Sequence, residues 1–451
     1  MKKYLLSIIL LTCTTAVFPQ EMTLEQLKDS AFKNNNSLRA ARYDIEASQL
    51  QRREAFTKFF PNVSGTAAWF NSNKHLISTD VNTSEYLSPA MVATLAETLP
   101  LEALAALNSP ISINMLKNGK LAGVNAIQPL FAGGQIINGN KLAKVGQEVS
   151  ELKLQLTQNE VELQTEQYYW QLVSLKEKLH TIEAANRLLA DIHKDADVAV
   201  RAGVAMRNDL LQVQLRQNDL ASQKLKLQNG ISLLHMLLAQ YCGLHHSSFT
   251  IHYPQLFAGD SIITQTDYEP RPTNFQLTAL PEYQLLQKQV EATQLQHRME
   301  VGSRLPSIGI GVGYNYNDLT ERDLSFAMVF ATVSVPISDW WGGSYAIKRK
   351  KIEYQKAVDQ LNDNMELLTI RMQKSWNDLQ EAYSQIELAR QGMRQSEEKL
   401  RLNRNFFRAG TGTMSELLEA QLLSQQTRDK YVEAVADYHI KLIIYRQANG
   451  E

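Results

Sequence analysis

The chain has 451 residues, with 46 basic and 47 acidic side chains and a formal net charge of −1. A balance so near zero leaves no electrostatic footprint for nucleic acid. Of its two cysteines, Cys13 lies in a cleavable leader, so Cys242 alone remains and an internal disulfide is excluded in the mature chain.

Met1-Lys2-Lys3, an apolar stretch from Tyr4 to Leu11 and small residues through Ala16 read as a secretory signal peptide over residues 1–20. Cleavage falls between Ala16 and Glu21. The stretch is shorter than the ~20 residues a spanning helix requires. Thr12 stands before Cys13 where a lipoprotein signal usually carries Gly or Ala, which argues against lipidation. Beyond the leader, no apolar run is long enough to cross a bilayer as a helix. A soluble periplasmic protein is the simplest reading at this point.

The mature chain is a duplication. Arg201-Ala202-Gly203 returns as Arg408-Ala409-Gly410, 207 residues later. At the same offset, Asp209-Leu210-Leu211-Gln212 answers Glu416-Leu417-Leu418-Glu419, Pro129 answers Pro336, and Gln240 and Gly243 answer Gln447 and Gly450. The first repeat is residues 21–243 and the second 279–451, joined by a linker, 244–278, that carries Pro254, Pro270 and Pro272. Each repeat runs in one order: a helix (Leu38 to Phe56; Glu282 to Val301), two β stretches, a very long helix, the Arg-Ala-Gly turn and a returning helix. Pro61 and Pro129 are 68 residues apart, Pro306 and Pro336 only 30, so the first repeat carries 38 more residues. That insertion lies within 71–120, and Met91 to Leu107 at its middle has the composition of a short helix.

The long helices are too long for a globule. In the second repeat apolar residues at Leu361, Met365, Leu368, Met372, Trp376, Leu379, Tyr383 and Ile386 alternate in fours and threes, the stripe of a coiled coil. Leu172, Leu175, Leu179, Ile182 and Leu189 do the same in the first. From Gln147 to Arg201 neither Pro nor Gly interrupts, and a helix of that length spans ~80 Å. A hairpin with one narrow apolar seam requires neighbours; an elongated coiled-coil scaffold satisfies the helices alone.

The β stretches separate these readings. Ile308, Ile310, Val312, Tyr314 and Tyr316 alternate with Gly309, Gly311, Gly313, Asn315 and Asn317. Such a strand turns one face to oil and the other to a crowded or wet interior. Phe326 to Val335, Asn62 to Phe70 and Gly123 to Phe131 follow, each about ten residues, the length of a tilted membrane strand. Tyr314, Tyr316 and Trp69 sit near strand ends, where interfacial aromatics belong. A small soluble sheet remains the alternative. Four strands cannot close alone, and a membrane leaves no edge open. Several chains must then share one barrel: two give eight strands with a filled interior, three give twelve and a bore.

With this order of elements, the Gln128-Pro129-Leu130-Phe131 and Val335-Pro336-Ile337 strand ends and the paired turns, the chain resembles the outer-membrane efflux protein family (TolC-like outer-membrane factors) over nearly its whole mature length. The resemblance implies a mainly α fold with a small β part: a periplasmic α-barrel of duplicated hairpins, and four transmembrane strands per chain in a shared trimeric β-barrel. It implies an outer-membrane location reaching into the periplasm, a homotrimer, and docking of the helix tips on a periplasmic adaptor and inner-membrane pump. The docking tips would be Ala202, Gly203, Ala409 and Gly410. Just inside them, Asn208 and Asp209 of the first repeat and Phe407, Glu416 and Glu419 of the second would form a gate. Phe407 and Glu416 match the family's constricting positions, and Asp209 matches Glu416 across the repeat. Three-fold repetition turns each carboxylate into a ring that attracts cations. Thr413 followed by Glu416 is also a capping box, and acids in a first turn suit the helix dipole.

No catalytic constellation, cofactor motif or nucleotide loop is legible, so the chain reads as a passive conduit rather than an enzyme. His245, His246 and His252 in the linker are the nearest approach to a metal cluster and read as a polar surface loop. The cargo is not legible.

Overall fold

The computed structural model describes residues 20–82, 86–98, 100, 102–103, 110–115, 117–245, 249–253, 274–318, 324–337 and 339–450. The leader up to residue 19, Pro254, Pro270, Pro272 and His246 lie outside the described residues. Two compact units divide the chain, and each takes segments from both repeats: Met1–Ser48, Gly146–Val290 and Lys356–Glu451 form one, Gln49–Val145 and Glu291–Gln355 the other.

The first unit is helical. Its long elements belong to α4 (Gln135–Arg201), α5 (Arg207–Tyr241), α8 (Asp339–Arg408) and α9 (Met414–Asn449), following α1 (Leu24–Asn34), α2 (Asn36–Thr57) and α3 (Pro89–Thr98) in the chain. Between α5 and α8 come α6 (Asn274–Ala279) and α7 (Pro281–Gly302). Among the described residues no helix is apolar enough to cross a membrane. The stripe read from the sequence is the buried face: Leu368, Met372, Leu379 and Ile386 are buried, with Leu361, Met365, Trp376 and Tyr383 partly so. Leu172, Val173, Leu238, Val432 and Val435 meet Leu27 and Ala31 of α1 in the largest core cluster. Each such Leu or Val side chain, fully buried, contributes about 1.5–3 kcal/mol. Thr23 starts α1 with a reciprocal capping box to Gln26. Lys28 then ties α1 to α4 through Glu162 at 3.2 Å and through Glu166. A short parallel pair, β1 (Gln20–Met22) with β6 (Phe249–Ile251), adds Phe249 and Ile251 to the same core.

The second unit is built on one antiparallel sheet in the order β2-β5-β7-β8: β2 is Asn62–Asn71, β5 Asn118–Ala132, β7 Ser307–Asp318 and β8 Leu324–Ser334. Strands β2 and β5 run further than the sequence indicates, pairing out to Asn71 with Asn118, so the insertion occupies residues 72–117. Within it β3 (Ile77–Val81) pairs with β4 (Ile111–Met115), and α3 starts two residues before the Met91–Leu107 stretch, of which residues 99, 101 and 104–107 lie outside the described residues. The β5–β7 register shifts between Pro129 and Phe131, where Pro129 has no N–H to give the ladder. Just beyond, Gly133 holds φ +58° and lies so close to Gly302 that a Cβ would collide with its carbonyl.

One face of this sheet is almost wholly apolar. Ile308, Ile310, Val312 and Tyr314 of β7 are exposed, while Gly309, Gly311 and Gly313 on the other face are covered. Paired residues share a face, so Val329 and Val333 of β8 and Val124 and Val63 of β5 and β2 extend the apolar side. Val329 is 83% and Val333 68% exposed. Trp69 stands at one end beside the Lys120–Asp318 pair. Phe326, Met328 and Phe330 lie on the opposite, glycine side.

In the helical unit one half-buried carboxyl is poorly satisfied. Asp429 of α9 has an Oδ1 with no hydrogen-bond partner. Burial pushes its pKa up to about 6; Glu433 adds to the rise, and Lys178 and a hydrogen bond with Gln425 oppose it. Its native pKa therefore exceeds the unfolded value of about 3.9. Between these values the native state holds the extra proton, so stability falls as pH rises through the window. Asp429→Asn removes that penalty. Its thermal midpoint, followed by circular dichroism, should exceed that of the parent at pH 7.5 and converge with it near pH 4. A pH-independent difference would show that ionisation is not the cause.

Candidate functional site

The two hairpin turns repeat the 207-residue offset in their hydrogen bonds. The N–H groups of Val204 and Ala205 donate to the Ala199 carbonyl at 3.0 and 3.2 Å; those of Thr411 and Gly412 donate to Phe406 at 3.0 and 3.1 Å. Gly203 and Gly410 sit at φ +73° and +71°, the left-handed conformation that ends a helix and favours glycine. A Cβ at either glycine would meet no atom within 4 Å. Ala202 and Ala409 are exposed beside them. The four tip residues read from the sequence therefore form two equivalent, open turns.

The helices that leave the turns start differently. At α9 the Thr413 hydroxyl accepts from the Glu416 N–H at 3.2 Å, and the Glu416 carboxylate accepts from the Thr413 N–H and hydroxyl, both at 2.9 Å. These bonds, the backbone one first, hold the Glu416 carboxyl below its usual pKa and keep it ionised. At α5 only half of the arrangement survives: Asp209 accepts from the Met206 N–H at 3.0 Å, and the Met206 thioether makes no cap. Asn208 is exposed.

Glu419 lies one turn further along α9, exposed, with Lys399 of α8 at 3.3 Å. Phe407 packs against the buried cluster of Ile182, Leu189, Val213, Met414 and Leu417. Its neighbour Phe406 is the outward ring, 52% exposed, a position the sequence reading passed over. Leu400, Phe407 and Met414 are each seven residues apart, which is the spacing of a seam residue and the signal that points Phe407 inward.

Charge pairs link α8 to α4 near the tips, Arg404 to Asp191 at 3.6 Å and Arg408 to Asp195 at 3.4 Å. Above them the buried stripe of α9 turns polar: Gln421, Ser424 and Gln425 follow Leu417 and Ala420, and apolar burial resumes at Tyr431. Arg216 of α5 donates to Gln421 at 3.0 Å and to Gln425 at 2.8 Å, and Gln425 donates to Gln223 at 3.0 Å. In the linker, His252 is held by Glu21 at 3.2 Å.

Residues 281–451 match the family model for the outer membrane efflux protein. No curated protein matches the sequence. Among solved structures, the outer membrane protein VceC from Vibrio cholerae is similar at 15% identity and a TM-score of 0.74, over 95% of this chain and 96% of that one. The Campylobacter jejuni CmeC outer membrane channel is 15% identical with a TM-score of 0.75, over 95% and 85%. The Neisseria gonorrhoeae MtrE outer membrane channel, in its open state, is 14% identical with a TM-score of 0.70, over 95% and 88%. Residues 281–451 are thus similar to the outer membrane efflux protein family, and the chain as a whole has the mainly α, TolC-like fold of these outer-membrane channels.

Proposed function

We propose that this protein is the subunit of a homotrimeric outer-membrane exit duct that serves an efflux or type I secretion system. The observation that carries this reading is the four-stranded sheet with one continuous apolar face and an open edge at β2 and at β8. Backbone groups left unpaired in hydrocarbon cost several kcal/mol each. Three chains supply twelve strands, enough to close the wall around a bore. The two repeats, 21–243 and 279–451, with their linker 244–278, supply two hairpins per chain, and three chains supply six to a periplasmic tunnel. Leu215, Leu225 and Leu233 of α5, and Leu367 and Ile370 of α8, are exposed in the single chain and are surfaces for neighbouring hairpins. The duct is passive, without cofactor or catalysis, and takes its cargo from an inner-membrane pump through a periplasmic adaptor. A coiled-coil scaffold would account for the helices and leave the exposed apolar face of the sheet without a purpose.

The tips Ala202-Gly203 and Ala409-Gly410 dock on the adaptor. Because a side chain at Gly203 or Gly410 meets no atom of its own chain, its intramolecular cost is the left-handed backbone, about 1–2 kcal/mol. Gly203→Trp with Gly410→Trp should therefore leave trimers in the outer membrane and abolish export. Normal export through such trimers would remove the turns from docking, and a soluble monomer on fractionation would end the channel reading.

Asn208, Asp209, Phe407, Glu416 and Glu419 ring the gate just inside the tips. Phe407 holds the tip from within, and the carboxylates give three-fold acidic rings. Glu416 is committed to its cap, so Glu419 is the side chain whose charge is open to permeating ions, tempered by Lys399. An exposed pair of this kind contributes about 0–1 kcal/mol to stability. Glu419→Gln should weaken cation preference in single-channel recordings without lowering the thermal midpoint, and Lys399→Gln should strengthen it. Unchanged selectivity in both would leave Glu419 a solvated surface residue.

A further inference from the structure

The glycine side of the sheet is a built surface. Across the ladders Gly311 opposes Phe330, Gly313 opposes both Met328 and Asn125, and Gly123 opposes Asn315. A Cβ at Gly311 would collide with the Phe330 ring, one at Gly313 with the Asn125 carboxamide, and one at Gly123 with the Asn315 carboxamide. Each large side chain therefore lies down over a neighbouring strand's bare backbone instead of standing off the sheet. Phe326 and Met328 continue the strip along β8, 38% and 42% exposed. The result is an aromatic and thioether strip beside a pair of carboxamides, on a wall kept thin by glycine.

This wall carries no charge. Among the described residues of the four strands, the only acidic or basic side chains are Lys120 and Asp318. They oppose each other in register, 4.0 Å apart, on the apolar face. Once that apolar face turns to lipid, the glycine side lines the bore.

We propose that the bore wall is a weak binding surface for uncharged organic solutes that carry an aromatic ring and an amide or hydroxyl group. The ring stacks on Phe326 and Phe330, and the polar group exchanges hydrogen bonds with Asn125 and Asn315, whose carboxamides both donate and accept. A bare metal ion finds no carboxylate or imidazole on this face, so the cargo class it favours is an amphipathic organic molecule. The inference rests on the barrel reading given above.

Benzamide, small and uncharged, is the probe. The full-length mature protein, reconstituted in lipid nanodiscs, should transfer magnetic saturation to its ring protons above the level of empty nanodiscs. Acetamide, without a ring, should receive several-fold less per proton. Phe326→Ser with Phe330→Ser should lower the benzamide signal at least about three-fold. Phe330→Leu, which keeps apolar bulk and removes the ring face, should lower it in the same direction, as should Gly311→Ala, which lifts the ring from its seat. Particle mass reads assembly separately. Trimers of the Phe326→Ser, Phe330→Ser variant with undiminished transfer overturn the binding wall and leave the channel intact. A parent protein that is monomeric overturns the barrel and the wall with it.

Discussion

A strand edge in hydrocarbon has no water to satisfy its N–H and C=O groups, and in the proposed duct this constraint governs the chain. The sheet has four strands, its apolar face keeps the polar side chains of Gln128, Ser325, Lys120 and Asp318 towards its ends, and among the described residues β2 and β8 each have one neighbour. No rearrangement within one chain removes both edges, because four strands are too few to close. The duplication follows from the same constraint. Each repeat supplies two strands, and the antiparallel contact of β5 with β7 joins the copies into one sheet. Sequence offset and strand pairing are one requirement met at two levels, and the proposed trimer would meet it at a third.

The helical unit solves a different problem. A hairpin tens of ångströms long has a narrow seam, and a uniformly apolar seam would leave its register weakly specified. The buried face of α9 changes chemistry along its length: Leu417 and Ala420 near the tip, then Gln421, Ser424 and Gln425, then Tyr431, Val432 and Val435. Hydrogen bonds from Arg216 and to Gln223 satisfy the polar stretch from α5. Apolar packing is non-directional, and a hydrogen-bonded layer fixes register between the two hairpins. Asp429, partly unsatisfied just beyond, is where this layer is least complete.

The helices, their stripes and the turns were legible because each rests on a local rule. Period fixed the buried face, and Gly203 and Gly410 fixed where the chain reverses; length was under-read, because α4 starts at Gln135 and runs through Gly139 and Gly146 before the uninterrupted stretch at Gln147. Strand β7 was legible because glycine alternates with large side chains. In β8 both parities are apolar, Phe326, Met328 and Phe330 against Ala327, Val329 and Ala331, so alternation alone assigns no face. The ladder does: Phe330 faces Gly311, and only the strand partner carries that information. The β3–β4 pair in the insertion escaped for the same reason, since Ile77–Val81 and Ile111–Met115 are far apart in sequence and their pairing is non-local. Phe407 was assigned to the gate through the family resemblance, while its seven-residue spacing from Leu400 and Met414 pointed to the seam it occupies.

The two tips have kept one backbone and diverged in chemistry. Their turn hydrogen bonds superimpose at the 207 offset, yet Thr413 and Glu416 cap α9 reciprocally whereas Met206 leaves Asp209 to cap α5 alone. A side-chain N-cap is worth about 0.5–2 kcal/mol, so α5 begins from a less firmly held end than α9. The surfaces diverge with the caps: Val204 is 81% and Met206 75% exposed, where the second tip carries Thr411 and Thr413. Alternating around a three-fold axis, such tips would present six ends of two kinds. Any partner that meets them all must then accommodate an apolar, loosely capped turn and a polar, firmly capped one in turn, which gives a six-fold ring of hairpins a three-fold register.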